Sequence, residues 1–227
     1  MIKVEKLEFV RLTDRYRIKP FDCGIPDLND FLFNDAKIHY KYLAAVTYLL
    51  ENKDKTIAYY SLQNDLLNIN PHTDKDFDKE ISDTIADNDY SFLLEMKDIS
   101  MFPAVKIGRF AVDTEFQRSG LGTEILRFII MGFLTNNKTG CQFITVDALN
   151  NVETLRFYER NGFSYVTLFD CNKPSRQMYK NLIALKQLTY SKSWLVEKSF
   201  PFVEKIPLFV DFIFLWKLNP LFLQIIN

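Results

Sequence analysis

The segment Val112-Asp113-Thr114-Glu115-Phe116-Gln117-Arg118-Ser119-Gly120-Leu121-Gly122-Thr123 constrains this chain more than any other. An apolar strand pattern from Val105 to Val112 runs into it, and a helical pattern leaves it. Gly120 and Gly122 at the junction let the backbone come close to a ligand and aim several N–H groups at one point. The first turn of a helix carries unpaired N–H donors and the positive end of a dipole, so its natural occupant is a phosphate. Strand, anion cradle and helix in that order point to a nucleotide-type cofactor. A P-loop would need Gly-x-x-x-x-Gly-Lys-Ser/Thr, which the chain lacks. A dinucleotide fingerprint would need a third glycine where Ile125 stands.

A second constellation follows. Cys141 to Ala148 reads as a buried strand, Asn150-Asn151 succeeds it, and Val152 to Arg160 reads as a short helix closed by Asn161-Gly162. Gly162 suits the position after a helix because it takes positive φ without steric cost.

The spacing Gln117-x-x-Gly120-x-Gly122 resembles the acetyl-CoA pyrophosphate loop of the GNAT superfamily of N-acetyltransferases. The asparagine pair and the run Phe157-Tyr158-Glu159-Arg160-Asn161-Gly162-Phe163 resemble that superfamily's second signature. The resemblance covers residues 4–183 and implies a mixed α/β (α+β) fold. Its centre would be a mainly antiparallel sheet of six or seven strands, splayed between the fourth and fifth and flanked by helices. Acetyl-CoA is the implied co-substrate, with Gln117, Arg118, Ser119, Gly120, Leu121, Gly122 and Thr123 at its pyrophosphate. Phe110, Ala111 and Val112 on one side and Asn150, Asn151, Phe157 and Arg160 on the other are the implied pantetheine contacts. An oxyanion donor is expected from the main chain near Ala111 or Val112, where the strand should bulge. Tyr158 is the implied general acid for the leaving sulfur; as a residue, it equally fits an aromatic packed on the sheet. Arg118 fits a phosphate contact or an idle surface charge, and Gln117 fits a loop cap.

The acceptor is implied to be a primary amine. At its ordinary pKa near 10.4 a lysine-like amine is almost wholly protonated at neutral pH, so a base acting through water is expected. Asp65, Asp113 and Glu115 are the carboxylates in range of the two signatures, and each also reads as a solvated loop charge.

Elsewhere the periodicity predicts a strand over 7–12 and a helix from Asp27 to about Tyr42, entered at Pro26. Strands are predicted at 46–50 and 56–62 around a turn, a long helix at 121–134, and closing strands at 165–169 and 177–182. Residues 63–103 read as an acidic insertion on the acceptor side, rich in aspartate around Asp74, Asp76 and Asp78. An acidic rim would steer a cationic acceptor toward the site.

Net charge is −1 and the isoelectric point about 6.2, so no overall basic field draws the protein to nucleic acid or anionic membrane. The three cysteines, Cys23, Cys141 and Cys171, are odd in number and widely spaced, which favours a reducing, cytoplasmic setting over a disulfide framework. The first residues lack an apolar signal core, and His39 and His72 form no metal-ligand spacing, so neither secretion nor a metal is expected.

The N-terminal half adds a closer resemblance. Phe21-Asp22-Cys23-Gly24 with Leu28, Phe31-Leu32 and Ala36, then Tyr48 and Ala58-Tyr59-Tyr60-Ser61-Leu62, resembles the GNAT toxins. That family acetylates the amino group of aminoacyl-tRNA and is neutralised by an antitoxin. Three functional readings therefore stand: a general N-acetyltransferase, a toxin with tRNA and antitoxin partners, and an acetyl-CoA-binding protein without turnover.

Residues 184–227 fall outside the resemblance. They are rich in Phe, Leu and Ile, but Asp211, Lys217, Asn219 and Pro220 break the apolar stretch short of the roughly 20 residues a membrane span needs. Exposed apolar surface of this length favours self-association, so a homodimer contact is expected. Deleting residues 190–227 should convert a dimer to monomer or aggregate in light scattering; an unchanged soluble dimer overturns that expectation.

Overall fold

The computed structural model describes residues 7–68 and 101–186. The chain divides into two units, Met1–Leu182 and Ile183–Asn227, and the architecture below is that of the first. The acidic stretch 69–100 and the residues from 187 onward, on which the steering and dimer expectations rest, lie outside the described residues.

β1 (Glu8–Arg11) leads to the short helix α1 (Pro26–Asp30), a π-helical turn (Phe31–Asp35) and α2 (Ala36–Lys41). The hairpin β2 (Val46–Glu51) and β3 (Thr56–Asn68) follows, then β4 (Met101–Val112) and a 3-10 turn (Thr114–Phe116). The long helix α3 (Leu121–Thr135), β5 (Phe143–Leu149), α4 (Val152–Arg160), β6 (Ser164–Tyr165) and β7 (Ser175–Asn181) complete the described elements. One seven-stranded sheet results, in the order β1-β2-β3-β4-β5-β7-β6. Every pairing is antiparallel except β4 with β5, which are parallel and joined through α3. This is the mixed, mainly antiparallel sheet with flanking helices that the sequence implied.

Neighbouring residues on a strand point to opposite faces, and Tyr59 and Tyr60 show what each face of the sheet holds. Tyr59, fully buried, packs with Leu12, Phe21, Cys23, Phe31, Leu32, Ala36, Leu49 and Ala111, and its hydroxyl donates to the Leu28 carbonyl at 2.7 Å. Tyr60 lies edge-on to Phe9 (6.0 Å between centroids), and Phe9 stacks on Phe128 of α3 at 4.5 Å. Helices α1 and α2 therefore cover one face and α3 the other.

Three expectations are corrected. The helix expected from Asp27 to Tyr42 is interrupted by the π-helical turn, in which the Ala36 N–H bonds to the Phe31 carbonyl. The extra residue keeps Phe31, Leu32 and Ala36 buried but rotates Ile38 and Tyr42 outward, to 52% and 72% exposure. Strand β3 continues to Asn68 and β4 begins at Met101, so residues 63–68 and 101–103 belong to the sheet rather than to an acidic insertion. Pairing across Leu62↔Ile107 to Asn68↔Met101 overrides the weak strand preference of Gln63-Asn64-Asp65. The strand expected over 165–169 shrinks to Ser164–Tyr165, because the chain then turns around Asp170, whose carboxylate takes the Gln177 N–H at 3.0 Å and Arg176 Nε at 3.0 Å.

Glu51 ends β2 fully buried. Tyr16 Oη donates to it at 2.5 Å, Thr56 Oγ1 at 2.7 Å and Lys19 Nζ at 3.0 Å. Burial and the Glu51 carboxylate both raise the Tyr16 pKa, so its phenol stays protonated and donating. A buried carboxylate stripped of partners is costly, and so are partners stripped of their carboxylate. Glu51→Ala should lower unfolding stability in urea by about 3 kcal/mol, the low end of the range for a broken buried pair because Lys19 is partly exposed.

Candidate active site

The parallel ladder between β4 and β5 runs from Ala104↔Phe143 to Ile107↔Val146 and stops. Both strands continue, β4 to Val112 and β5 to Leu149, and leave a gap between them. The stop coincides with a bulge: Leu62 pairs with Ile107 but Ser61 pairs with Arg109, which leaves Gly108 as an extra residue on β4. A bulge bends its strand and increases the local twist, which swings β4 away from β5. The Gly108 site is tight, since a Cβ there would lie 3.2 Å from Gln63 Oε1.

Beyond the bulge the register assigns every backbone donor. The Asp113 N–H bonds to the Ile57 carbonyl at 2.8 Å, and Ala111 stands opposite Tyr59 two residues along. Alternation in an antiparallel pair turns the N–H groups of Phe110 and Val112 away from β3 and into the gap. The bulge expected near Ala111 or Val112 is thus at Gly108, and the Ala111 N–H is directed at β3; the donors facing the gap are those of Phe110 and Val112.

The loop after β4 is held from both ends. The Asp113 carboxylate caps the 3-10 turn through the Glu115 N–H at 3.1 Å. Gln117 Nε2 donates to the carbonyls of Val112 and Cys23, each at 2.9 Å. Ser119 Oγ donates to the Phe116 carbonyl at 2.6 Å. Gly120 is the N-cap of α3 with φ of +87°, a conformation L side chains resist. Arg118 adopts +58° without being glycine. The Glu124 N–H bonds back to the Gly120 carbonyl at 3.2 Å and the Leu121 N–H reaches Ser119 Oγ at 3.4 Å, so the N–H groups of Gly122 and Thr123 are left to point out of the helix end. A Cβ on Gly122 would meet the Phe157 ring at 3.4 Å and the Phe110 ring at 3.8 Å, so the start of α3 sits directly on these two aromatics. Their centroids are 6.0 Å apart. Arg118 reaches Glu153 in the first turn of α4 at 3.2 Å, but both side chains are 86% exposed and the pair is readily exchanged for another anion.

Across the gap, Asn150 and Asn151 each commit one end of the amide to local structure. Asn150 Nδ2 donates to the carbonyls of Cys171 and Lys173 at 2.7 and 2.8 Å, and Asn151 Oδ1 caps α4 through the Thr154 N–H at 2.8 Å. Tyr158 is buried between the rings of Phe157 and Phe163, with centroids at 5.1 and 5.3 Å. Its hydroxyl has no hydrogen-bond partner among the described residues, and burial raises its pKa well above the ordinary tyrosine value. Arg160 is exposed in the last turn of α4, about 13.5 Å along the axis from the N-cap at 1.5 Å per residue. The structure therefore gathers the glycine loop, Phe110, Val112 and Phe157, with Tyr158 behind Phe157, and leaves Arg160 at the far end of its helix.

Residues 85–165 match the family model described as an acetyltransferase (GNAT) domain. The chain has the GNAT fold. No curated protein matches the chain. Among solved structures, a Tyr-to-Phe mutant of KacT is 23% identical with a TM-score of 0.62, covering 81% of this chain and 99% of that one. AtaT complexed with acetyl-methionyl-tRNAfMet is 21% identical with a TM-score of 0.60, covering 84% and 99%. A Tyr-to-Phe mutant of the AtaT toxin bound to the C-terminus of the antitoxin AtaR and acetyl-CoA is 19% identical with a TM-score of 0.58, covering 82% and 99%. At these identities the likeness establishes the GNAT fold, into which the splayed β4–β5 pair falls.

Within this fold the three carboxylates considered as bases have other partners. Asp113 is 1% exposed; burial opposes its ionisation, but Lys55 Nζ at 2.9 Å and the N–H groups of Asp22 and Glu115 outweigh it and hold the pKa below the usual carboxylate range. That removes it as a base. Glu115 is exposed and pairs with the same Lys55 at 3.1 Å. Asp65, expected in a loop, lies on β3 and accepts from Thr145 Oγ1 at 2.5 Å. Lys55 and Asn29 around the loop, and Lys106 with Asp147 across β4 and β5, are contributors that sequence reasoning missed. They come from distant segments, and no local spacing marks them.

The two loop glycines should separate in stability. Gly120→Ala forces an L residue into positive φ and should cost about 1 kcal/mol in urea unfolding. Gly122→Ala, with only ordinary contacts at its Cβ, should stay within about 0.5 kcal/mol of the parent.

Proposed function

We propose that this acetyltransferase moves the acetyl group of acetyl-CoA to a primary amine by direct attack on the thioester, with Tyr158 as general acid. The observation that carries the reading is the gap itself. It has two strand N–H groups on one wall and a helix N-terminus at its mouth, and beside it Tyr158, buried as a residue, has a hydroxyl without a partner among the described residues. The first-turn N–H groups of α3 with Arg118 suit the pyrophosphate. Phe110, Phe157 and Gly122 suit the apolar part of the pantetheine arm, and the outward N–H groups of Phe110 and Val112 suit its amides and the thioester oxygen. Asn151 keeps its Nδ2 for the same arm.

Acetyl-CoA supplies an acyl group already activated as a thioester. The chain's part is alignment, worth on the order of 7–11 kcal/mol as effective molarity, and a preset N–H donor for the developing oxyanion, worth about 3 kcal/mol. The attacking amine gives up a proton to water, and Tyr158 supplies one to the departing sulfur. Its raised pKa keeps the phenol protonated through neutral and mildly alkaline pH, so it begins each turnover as a donor.

A second reading of the acceptor is favoured by a specific observation. The solved likenesses include an AtaT complex with acetyl-methionyl-tRNAfMet and an AtaT toxin bound to an antitoxin segment, over more than four-fifths of this chain. With the Phe21-to-Ala36 pattern, these support an aminoacyl-tRNA amine as acceptor and an antitoxin as partner. A small cationic amine is the alternative, and the homodimer remains the assembly we propose.

Thiol release from acetyl-CoA against polyamines, amino acids, lysine peptides and charged tRNA tests both. Turnover is expected on one class, with kcat falling about 100-fold or more in Tyr158→Phe and no alkaline loss of rate up to pH 9 in the parent. Equal kcat in Tyr158→Phe overturns the acid; cofactor binding without turnover on any amine overturns the transfer reading.

A further inference from the structure

The turn Phe21-Asp22-Cys23-Gly24 lies far from the cofactor loop in sequence but is bonded to it at three points, and the loop residue Gln117 also bonds back to β4. The Asp22 N–H donates to Asp113 Oδ2 at 3.1 Å, and the Thr114 N–H donates to the Asp22 carbonyl at 2.9 Å. Gln117 Nε2 donates to the Cys23 carbonyl at 2.9 Å and to the Val112 carbonyl at the same distance. An amide nitrogen has two hydrogens, so both donors of Gln117 go to backbone carbonyls and none is left for a ligand. Gln117 is nevertheless exposed, so its side chain is held there by these bonds and not by burial.

The turn is itself braced from within. Asp22 Oδ1 accepts from the Gly24 N–H at 2.8 Å and from Asn29 Nδ2 at 2.7 Å, while Asn29 Oδ1 accepts from the Cys23 N–H at 3.0 Å. Asn29 lies on α1, and its side-chain hydrogen bonds go to Asp22 and Cys23 of the turn. A chain of bonds thus runs from α1 through Asn29 to the turn, and through Gln117 to Val112, whose N–H faces the gap.

We propose that this turn is a clamp that sets the affinity of the loop for its cofactor, with Asn29 and Gln117 as positioning residues. The proposal rests on the reading that the loop takes acetyl-CoA. The clamp fixes the loop before the cofactor arrives, so the ordering cost is met in folding rather than in binding. It also gives the Phe-Asp-Cys-Gly motif, which the transfer chemistry leaves unused, a role in cofactor binding.

Calorimetric titration of the full chain with acetyl-CoA, in the absence of acceptor, tests it. Gln117→Ala and Asn29→Ala should each raise the Kd about tenfold, as expected for losing one or two modest hydrogen bonds. The double variant should be no worse than the weaker single one, because both act through one linkage. In the parent, acetyl-CoA should slow hydrogen exchange at the Cys23 and Gly24 amides, and Gln117→Ala should abolish that protection. This second readout stands even if Asn29→Ala fails to fold. An Asn29→Ala Kd equal to the parent's, fully multiplicative effects in the double variant, or protection that survives in Gln117→Ala overturns the clamp. A parent chain that does not bind acetyl-CoA overturns the cofactor reading and the clamp together.

Discussion

The end of one hydrogen-bond ladder is what the rest of the molecule is arranged around. Two parallel strands that stayed paired to their ends would leave no room for a ligand and no outward donors. The added residue at Gly108 breaks the pairing after Ile107 and Val146, and it does so in the middle of a sheet rather than at an edge. Backbone N–H groups exposed in such a place would be a liability in a pure structural domain, because unpaired polar groups away from water are costly. Here they form the wall of a cleft, where solvent or a ligand amide can satisfy them. The long pairing of β3 with β4 below and beyond the bulge keeps β4 fixed despite losing its other neighbour.

Stabilising polar contacts concentrate around that opening and beside it. Asp113, Lys55, Asp22 and Gln117 tie the segment that leaves β4, and Glu51 with Tyr16, Lys19 and Thr56 ties the segment before α1 to the hairpin. The apolar clusters do a different job. Tyr59 and its neighbours seat α1 and α2 on one face, and Leu67, Phe102, Ala104, Phe143 and Tyr179 close the fully paired end of the sheet. Packing fixes where the helices lie, and hydrogen bonds fix where the loop points.

Much of this was legible in the residues. The glycine loop between an apolar strand and a helical run announced α3 and its anion-facing end, and Gly162 announced the end of α4. The helix 121–134 and the strand 105–112 were found because each is long and periodic. What failed had physical reasons. A π-helical turn at Phe31–Asp35 has no sequence mark, and it shifts the face of everything after it. The outer halves of β3 and β4 carry polar residues and exist only because each finds the other. A bulge depends on two strands jointly, so its placement at Gly108 could not be read from β4 alone. The same holds for Asp113 and Asp65, which looked like loop charges until their partners Lys55 and Thr145 came from elsewhere in the chain.

Asn150 shows how the second signature is to be interpreted. Its amide holds the carbonyls of Cys171 and Lys173, and its own N–H holds Pro174, so one residue anchors the whole turn that leads into β7. The same turn carries Leu168 and Phe169 at 74% and 91% exposure. An asparagine next to a catalytic cleft invites the interpretation that any activity lost on its removal is a lost ligand contact. At this position the geometry adds a second cause: a variant would free the Cys171–Pro174 end of the surface turn, which Asp170 would still hold through Arg176 and the Gln177 N–H. Kinetic damage at Asn150 would then include the cost of disorder beside the cleft, just as damage at Asn151 would include the loss of the α4 cap.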